Sequence, residues 1–296
     1  MPIPESQLDI WSHQGSVTQS SSTYATVKRA LESSKAGYAS QAFEIFLQGS
    51  YGNDTNIFSE SDVDIVIRLD SVFHHALGDL PPEQNAAFKK AHSDATYTYA
   101  EFKAHVVSAL EMSFGRAVSG GDKAIKIAAN GSRRNADVLV ATQFRRYRKF
   151  WTITDQEYEF GICFFTATGV RIANYPRQHS TNCTTKHQAT NRWFKPVVRI
   201  LKNLRGKLVD NGSISKDVAP SYFLEGLLYN VPKEKFGGTY SATLVAGLNW
   251  IFAADRSKFI CANEQHDLLG DAPVNWPAPN CDRFLDEARK LWNEWP

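Results

Sequence analysis

FLQGSYGNDTNIFSESDVDIVI, residues 46–67, decides the fold. It opens on the end of a short apolar strand, FEIFL at 43–47, stops at Gly49-Ser50, and crosses the polar loop YGNDTNIFSES at 51–61. It resumes as DVDIVIRLD at 62–70, where Val63, Ile65, Ile67 and Leu69 fall on one face at period 2. Asp62 and Asp64 stand together on the other face, at the head of that strand. Two carboxylates projecting side by side, preceded by a Gly-Ser turn, form a place where phosphate and hard cations can meet.

Downstream, KAIKIAA (123–129), Asn130-Gly131 and NADVLVATQF (135–144) read as a β-hairpin, because Asn-Gly suits the positive φ angles of a type I′ turn. Asp137 lies early on its second strand. EFGICFFT (159–166) and GVRIANYP (169–176) read as a further strand pair.

Helical spacing appears at Tyr24, Val27 and Leu31, which predicts an amphipathic helix of about 16 residues. It appears again from Pro81-Pro82 to Phe114, where Tyr99, Phe102, Val106 and Leu110 predict one long helix ending at Gly115. The polar HSTNCTTKHQAT (179–190) reads as a boundary loop. Beyond it KPVVRILKNLRGKLV (195–209) and SYFLEGLLYNV (221–231) are helical. A first part, 1–185, and a second, 186–296, follow from this division.

Composition adds limits. With 296 residues and 43% apolar content the chain can bury a substantial core. Lys plus Arg (33) nearly balances Asp plus Glu (31), so a phosphate site must be local rather than the product of whole-chain charge. The start lacks a basic segment leading into an apolar one, and no long apolar run occurs, which predicts a soluble, cytoplasmic protein without a membrane partner. The four cysteines are scattered, as suits a reducing compartment. His179, Cys183 and His187 are spaced by four, but the residues between them read as loop, and no zinc site is expected.

Gly-Ser at a strand end, Asp-x-Asp at the head of the next strand and a third Asp on a distant hairpin point to nucleotidyl transfer. That reaction needs a 2′- or 3′-hydroxyl made nucleophilic and a pyrophosphate neutralised, and two Mg²⁺ ions about 3.5–4 Å apart do both. Asp62, Asp64 and Asp137 are the expected catalytic and metal-holding residues. Asp62 and Asp64 can bridge both metals, Asp137 would hold the one that activates the attacking hydroxyl, and Mn²⁺ is an acceptable substitute for Mg²⁺. The backbone N–H groups of Gly49 and Ser50, with the Ser50 hydroxyl, are expected to hold donor phosphates.

The stretch 46–67, together with ADVLVA (136–141), RIANYPRQH (171–179), FKPVVRILKNLR (194–205) and PSYFLEGLLYNVP (220–232), resembles the bacterial cGAS/DncV-like nucleotidyltransferases (CD-NTases). The resemblance extends to their compact forms in CBASS anti-phage systems, with oligoadenylate synthase and cyclic GMP-AMP synthase as more distant animal relatives. It implies an α+β fold: a polymerase β-like core, a mixed sheet with flanking helices, packed on an α-helical oligoadenylate-synthase-like domain. The nucleotide pocket lies between the two parts in that family. Its members make cyclic oligonucleotide messengers that activate effectors during phage infection.

On this resemblance Lys202 matches a phosphate-contacting lysine, and Ser221-Tyr222 a pair whose serine touches the triphosphate and whose ring stacks on a base. Lys195 and Arg199 share a helix side with Lys202, a stripe able to neutralise a triphosphate. Asn174, with Arg177 nearby, lies where a base-reading group could sit.

Several functions share these acids. The first is a cyclic oligonucleotide synthase, most simply a cyclic dinucleotide synthase, taking NTPs with ATP among them and feeding a downstream effector. Others are a linear oligonucleotide synthase, a transferase modifying tRNA or protein, and, from another class, an inactive nucleotide or RNA sensor. Retention of all three acids counts against the last. No cluster matches the zinc-bearing insertion of the DNA-sensing animal relative, which argues against DNA activation. The C-terminal WNEWP leaves open a regulatory protein partner.

Overall fold

The computed structural model describes residues 2–15, 17–58 and 62–295. Ser59, Glu60 and Ser61 of the predicted loop, and the terminal Pro296, lie outside the described residues. In chain order the helices are α1 (Glu5–Ser12), α2 (Thr18–Leu31), α3 (Gly49–Gly52), α4 (Pro82–Ala91), α5 (Tyr99–Phe114), α6 (Pro176–Ala189), α7 (Phe194–Asp210), α8 (Ser221–Asn230), α9 (Tyr240–Ala253) and α10 (Ala278–Asn293). The strands are β1 (Phe43–Leu47), β2 (Val63–Ala76), β3 (Val118–Gly120), β4 (Ile125–Ile127), β5 (Ala136–Thr152), β6 (Asp155–Phe165) and β7 (Arg171–Asn174).

Two compact units divide the chain: residues 18–48 with 62–176, and residues 1–17 with 49–61 and 177–296. The last change between the units falls at 176/177. Packing also assigns the N-terminal segment and the loop after Gln48 to the unit holding the C-terminal helices.

The first unit is a mixed sheet of seven strands among the described residues, in the order β1-β2-β5-β4-β3, with β6 pairing β5 and β7. Among the described residues of this sheet, only β2 and β5 run parallel. A parallel pair needs a long crossover, and residues 77–135 supply it. Val63, Ile65, Ile67 and Leu69 are buried, as their alternation requires. Helices α2 and α5 pack on each other and over β2 and β5, bringing Val27, Leu31, Phe102, Val106 and Leu110 into the core. β5 is 17 residues long, and its far half packs Tyr147 and Phe150 against Phe88 of α4.

Three local expectations are corrected. The single helix over 81–114 is two, α4 and α5, because Thr98 accepts from the Glu101 N–H while the Glu101 carboxylate accepts from the Thr98 N–H, a capping box that starts a new helix. The hairpin forms, but not with a type I′ turn. Gly131 lacks a positive φ, and the Asn130 side chain instead accepts from the Ser132 and Arg133 N–H groups. The polar stretch 179–190 is not a loop but most of α6, whose Pro176 occupies a first-turn position where no N–H is needed.

In the second unit α7 is the hub, contacted by α1, α8, α9 and α10. Phe194, Val197, Leu201, Leu204 and Leu208 form its apolar side. Trp276 is completely buried and donates its indole N–H to the Val218 carbonyl at 2.7 Å. Trp295 packs edge-on against Trp11 at 5.4 Å.

Candidate active site

The parallel register of β2 and β5 sets Asp64 directly beside Asp137. Neighbouring strands lie about 4.8 Å apart, so two carboxylates on one face at paired positions reach a common point. Asp62 sits two residues before Asp64, immediately ahead of β2. Its Oδ1 accepts from Asn135 Nδ2 at 3.2 Å. Asp62 is exposed, and Asp64 and Asp137 are half-buried.

The backbone beneath them is tied on both sides. Val63 N–H donates to the Asn135 carbonyl and Gln48 N–H to the Asp64 carbonyl, both at 3.0 Å. On the other side of β5, Lys126 of β4 pairs with Asp137 and shares its face, a cation that sequence reasoning did not single out. The three acids offer hard oxygen donors from rigid strands, with no thiolate or imidazole among them. Such a donor set fits Mg²⁺ or Mn²⁺.

Gly49 and Ser50 open α3, with Gly49 at φ 64°, a conformation that favours glycine. Past α3 the chain is held residue by residue. Asn53 N–H donates to the Gly49 carbonyl and Thr55 N–H to the Ser50 carbonyl, at 3.1 and 2.9 Å. Lys195 Nζ lies 3.0 Å from the Asp54 carboxylate, and Arg199 donates to the Asp54 carbonyl at 2.7 Å. Lys202, with no exposed surface, donates to the Thr55 carbonyl at 2.9 Å. The stripe Lys195, Arg199 and Lys202 is therefore not a solvated face: it grips the segment following Gly49-Ser50.

Ser221 begins α8, and its Oγ accepts from Arg205 at 3.1 Å. The Tyr222 ring stacks on His179 with centroids 4.7 Å apart, and its hydroxyl accepts from Asn263 at 2.9 Å. Burial pushes that hydroxyl well above the usual phenol range. Asn174 ends β7 in the sheet unit, and its Oδ1 accepts from the Tyr175 N–H. Through Ile162 of β6 it aligns with Gln143, six residues along β5 from Asp137, or about 20 Å of strand. Gly161, the residue before Ile162 on β6, must lack a side chain, since a Cβ there would come within 2.6 Å of the Asn174 carbonyl.

A buried cluster escaped the sequence reading. Glu225 of α8, 2% exposed, accepts from Asn53 Nδ2 at 3.0 Å, Thr55 Oγ1 at 2.5 Å and His179 Nε2 at 2.6 Å. Burial alone would raise its carboxyl pKa. The His179 hydrogen bond and charge, the charge of Lys202 and the Thr55 hydroxyl outweigh burial and hold it below the usual range. Its place inside the apolar run SYFLEGLLYNV hid it. The spacing of His179 and Cys183, the buried face of α6, was the available signal for the helix opposite.

No helix among the described residues is long and apolar enough to cross a membrane. Residues 181–293 match the model of the cGAS/DncV-like nucleotidyltransferase C-terminal helical domain. The chain is 42% identical over 300 residues to a cyclic UMP-AMP synthase of Rhodothermus marinus (strain SG0.5JP17-172), covering 100% of this chain and 99% of that protein. It is 37% identical over 302 residues to a cyclic nucleotide synthase of Staphylococcus haemolyticus, with 100% of each covered. The solved R. marinus c-UMP-AMP synthase with Apcpp and Upnpp matches with a TM-score of 0.89 at 39% identity, over 99% of this chain and 98% of that one. A cyclic dinucleotide synthase of Elizabethkingia meningoseptica with GTP and Apcpp matches at 0.77 and 30%, over 98% of each.

Proposed function

The chain belongs to the cGAS/DncV-like nucleotidyltransferases, and from that membership we propose that it joins two NTPs into a cyclic dinucleotide, releasing two pyrophosphates. The observation that carries this reading is the pairing of Asp64 with Asp137, two residues on from Asp62. The relatives supply the product class: one is named a cyclic UMP-AMP synthase, and its structure holds analogues of ATP and UTP. ATP and UTP are therefore the first substrate pair to test.

Enzymes of this family are generally metal-dependent. Asp62, Asp64 and Asp137 would hold two Mg²⁺ ions, with Mn²⁺ able to substitute; when bound, these lower the pKa of the attacking hydroxyl and neutralise the departing pyrophosphate. The residues do the rest. Asp62 and Asp64 would help hold both ions, and Asp137 would help hold the one that serves the acceptor hydroxyl. Gly49 and Ser50 present backbone N–H groups and a hydroxyl to the donor phosphates. Lys195 and Lys202 place positive charge against the segment that follows. Ser221 adds a hydroxyl for phosphate, Tyr222 an aromatic surface, and Asn174 an amide able to read a base edge. The acceptor hydroxyl attacks the donor α-phosphorus, the bond to pyrophosphate breaks in line, and a second transfer between the same two nucleotides closes the ring.

In this role the product serves as a messenger to an effector in anti-phage defence. The test is incubation of purified protein with all pairwise NTP combinations and Mg²⁺, followed by phosphatase treatment and mass spectrometry. A phosphatase-resistant dinucleotide is expected. A product trimmed by phosphatase would assign a linear synthase instead, and no nucleotide product from any pair would refute the proposal.

A further inference from the structure

A fully buried carboxylate is costly to desolvate, and where packing alone is needed an apolar residue of similar volume serves as well or better. Glu225 sits in such a place, among Leu224, Leu227 and Leu228, yet its two oxygens take three hydrogen bonds. Two of these come from one short segment, Asn53 and Thr55, and the third from His179 of α6. Thr55 is held at every polar atom: its hydroxyl by Glu225, its carbonyl by Lys202, and its N–H by the Ser50 carbonyl. A chain of two hydrogen bonds therefore runs from the Glu225 carboxylate through Thr55 to Ser50. Ser180 adds a bond to the Gly52 carbonyl at 3.3 Å.

A metal site is the competing use of these groups, since ligand atoms of His179, Cys183 and Glu225 lie within 4.8 Å of one another. Both Glu225 oxygens are already occupied by donors. The Cys183 side chain has no exposed surface, and burial, with Glu225 beside it, pushes its thiol well up.

We propose that Glu225, oriented by His179, is a positioning residue that fixes Thr55 and through it Ser50 for contact with the donor phosphates. This rests on reading Gly49-Ser50 as the donor phosphate segment. Glu225 itself touches no substrate. Its effect is on where the Ser50 backbone and hydroxyl stand, and a displacement of about 1 Å in such a group can cost on the order of 100-fold.

The experiment compares Thr55→Val, Thr55→Ser and Glu225→Gln with the parent protein, measuring kcat and KM for each NTP, Tm, and bound zinc. Thr55→Val keeps the shape and removes only the hydroxyl, so Glu225 retains His179 and Asn53 and the chain still folds. The expected result is a fall in kcat/KM of roughly 10- to 100-fold in Thr55→Val, recovery of most of it in Thr55→Ser, and an intermediate loss in Glu225→Gln. A Tm loss with unchanged kcat/KM in Thr55→Val would reduce the cluster to a structural role and overturn the inference. One equivalent of zinc in the parent protein, lost in Cys183→Ser, would overturn it as well. An inactive parent would instead sink the reading on which it rests.

Discussion

The strand pair β2/β5 and the segment 49–56 with its helices place functional groups in opposite ways. On the strands, backbone register does the placing: Asp64 faces Asp137 because their strands pair there, and the carboxylates stay half-buried or exposed. On the helical side, placement is by side chains. Lys195, Arg199, Lys202, Glu225 and His179 hold a loop that has no ladder of its own, and four of the five are buried or nearly so. The sheet can lose an acid without losing its fold, whereas the loop depends on charges whose removal strands a buried partner.

Substitutions separate the two regimes, and the largest effect belongs to the strands. Asp64→Asn or Asp137→Asn should lower turnover by at least about 1,000-fold. Tm should barely move, since substitutions away from buried networks usually stay within about 0.5 kcal/mol. Steady-state turnover beside calorimetry measures both, and a large Tm loss in either variant would break the contrast. Lys202→Met tests the helical side. It removes the cation near Glu225 and leaves the Thr55 carbonyl without its donor, for a loss of about 3 kcal/mol and a Tm lower by roughly 6–12 °C. An unchanged Tm would show that the buried lysine is not part of the frame.

Tyr222→Phe is milder. It deletes the hydroxyl that accepts from Asn263 while leaving the stack on His179, and should cost about 1 kcal/mol by denaturant unfolding. NTP affinity should stay close to the parent if stacking is what the ring contributes.

The smallest effect is in pH. Burial, then the charges of Lys195, Arg199 and Arg192, push the His187 imidazole down to about 4. Unfolded, the same ring takes its proton near pH 6.5. Between about pH 6.5 and 4 the unfolded chain binds the extra proton, so this contribution is whole above 6.5 and is lost as pH falls toward 4. His187→Gln should flatten that part of the stability–pH curve. An unchanged slope would remove His187 from the helical network.

Period-2 alternation made β2 and its pair of acids legible, and with them the fold class. Asp137 was legible as a third acid, but not its pairing with Asp64, because register is a property of two strands and not of either alone. Helix α6 was missed since it buries little beyond His179 and Cys183, leaving a polar composition that reads as loop. The break before α5 was written in Thr98 and Glu101, a cap inside a stretch whose periodicity ran on. Glu225 could not be found by pattern, because a single acid in an apolar run declares its partners only when distant residues fold onto it.

The most direct test is the product formed from ATP and UTP, and from each other NTP pair, with Mg²⁺ by the parent protein and by Asp137→Asn, read by mass spectrometry after phosphatase digestion. The prediction is a phosphatase-resistant dinucleotide of one AMP and one UMP unit, or of another nucleotide pair if base preference differs, absent from the variant. The same product at undiminished yield from Asp137→Asn would contradict the assignment of these acids, as would a parent protein that forms no nucleotide bond with any pair.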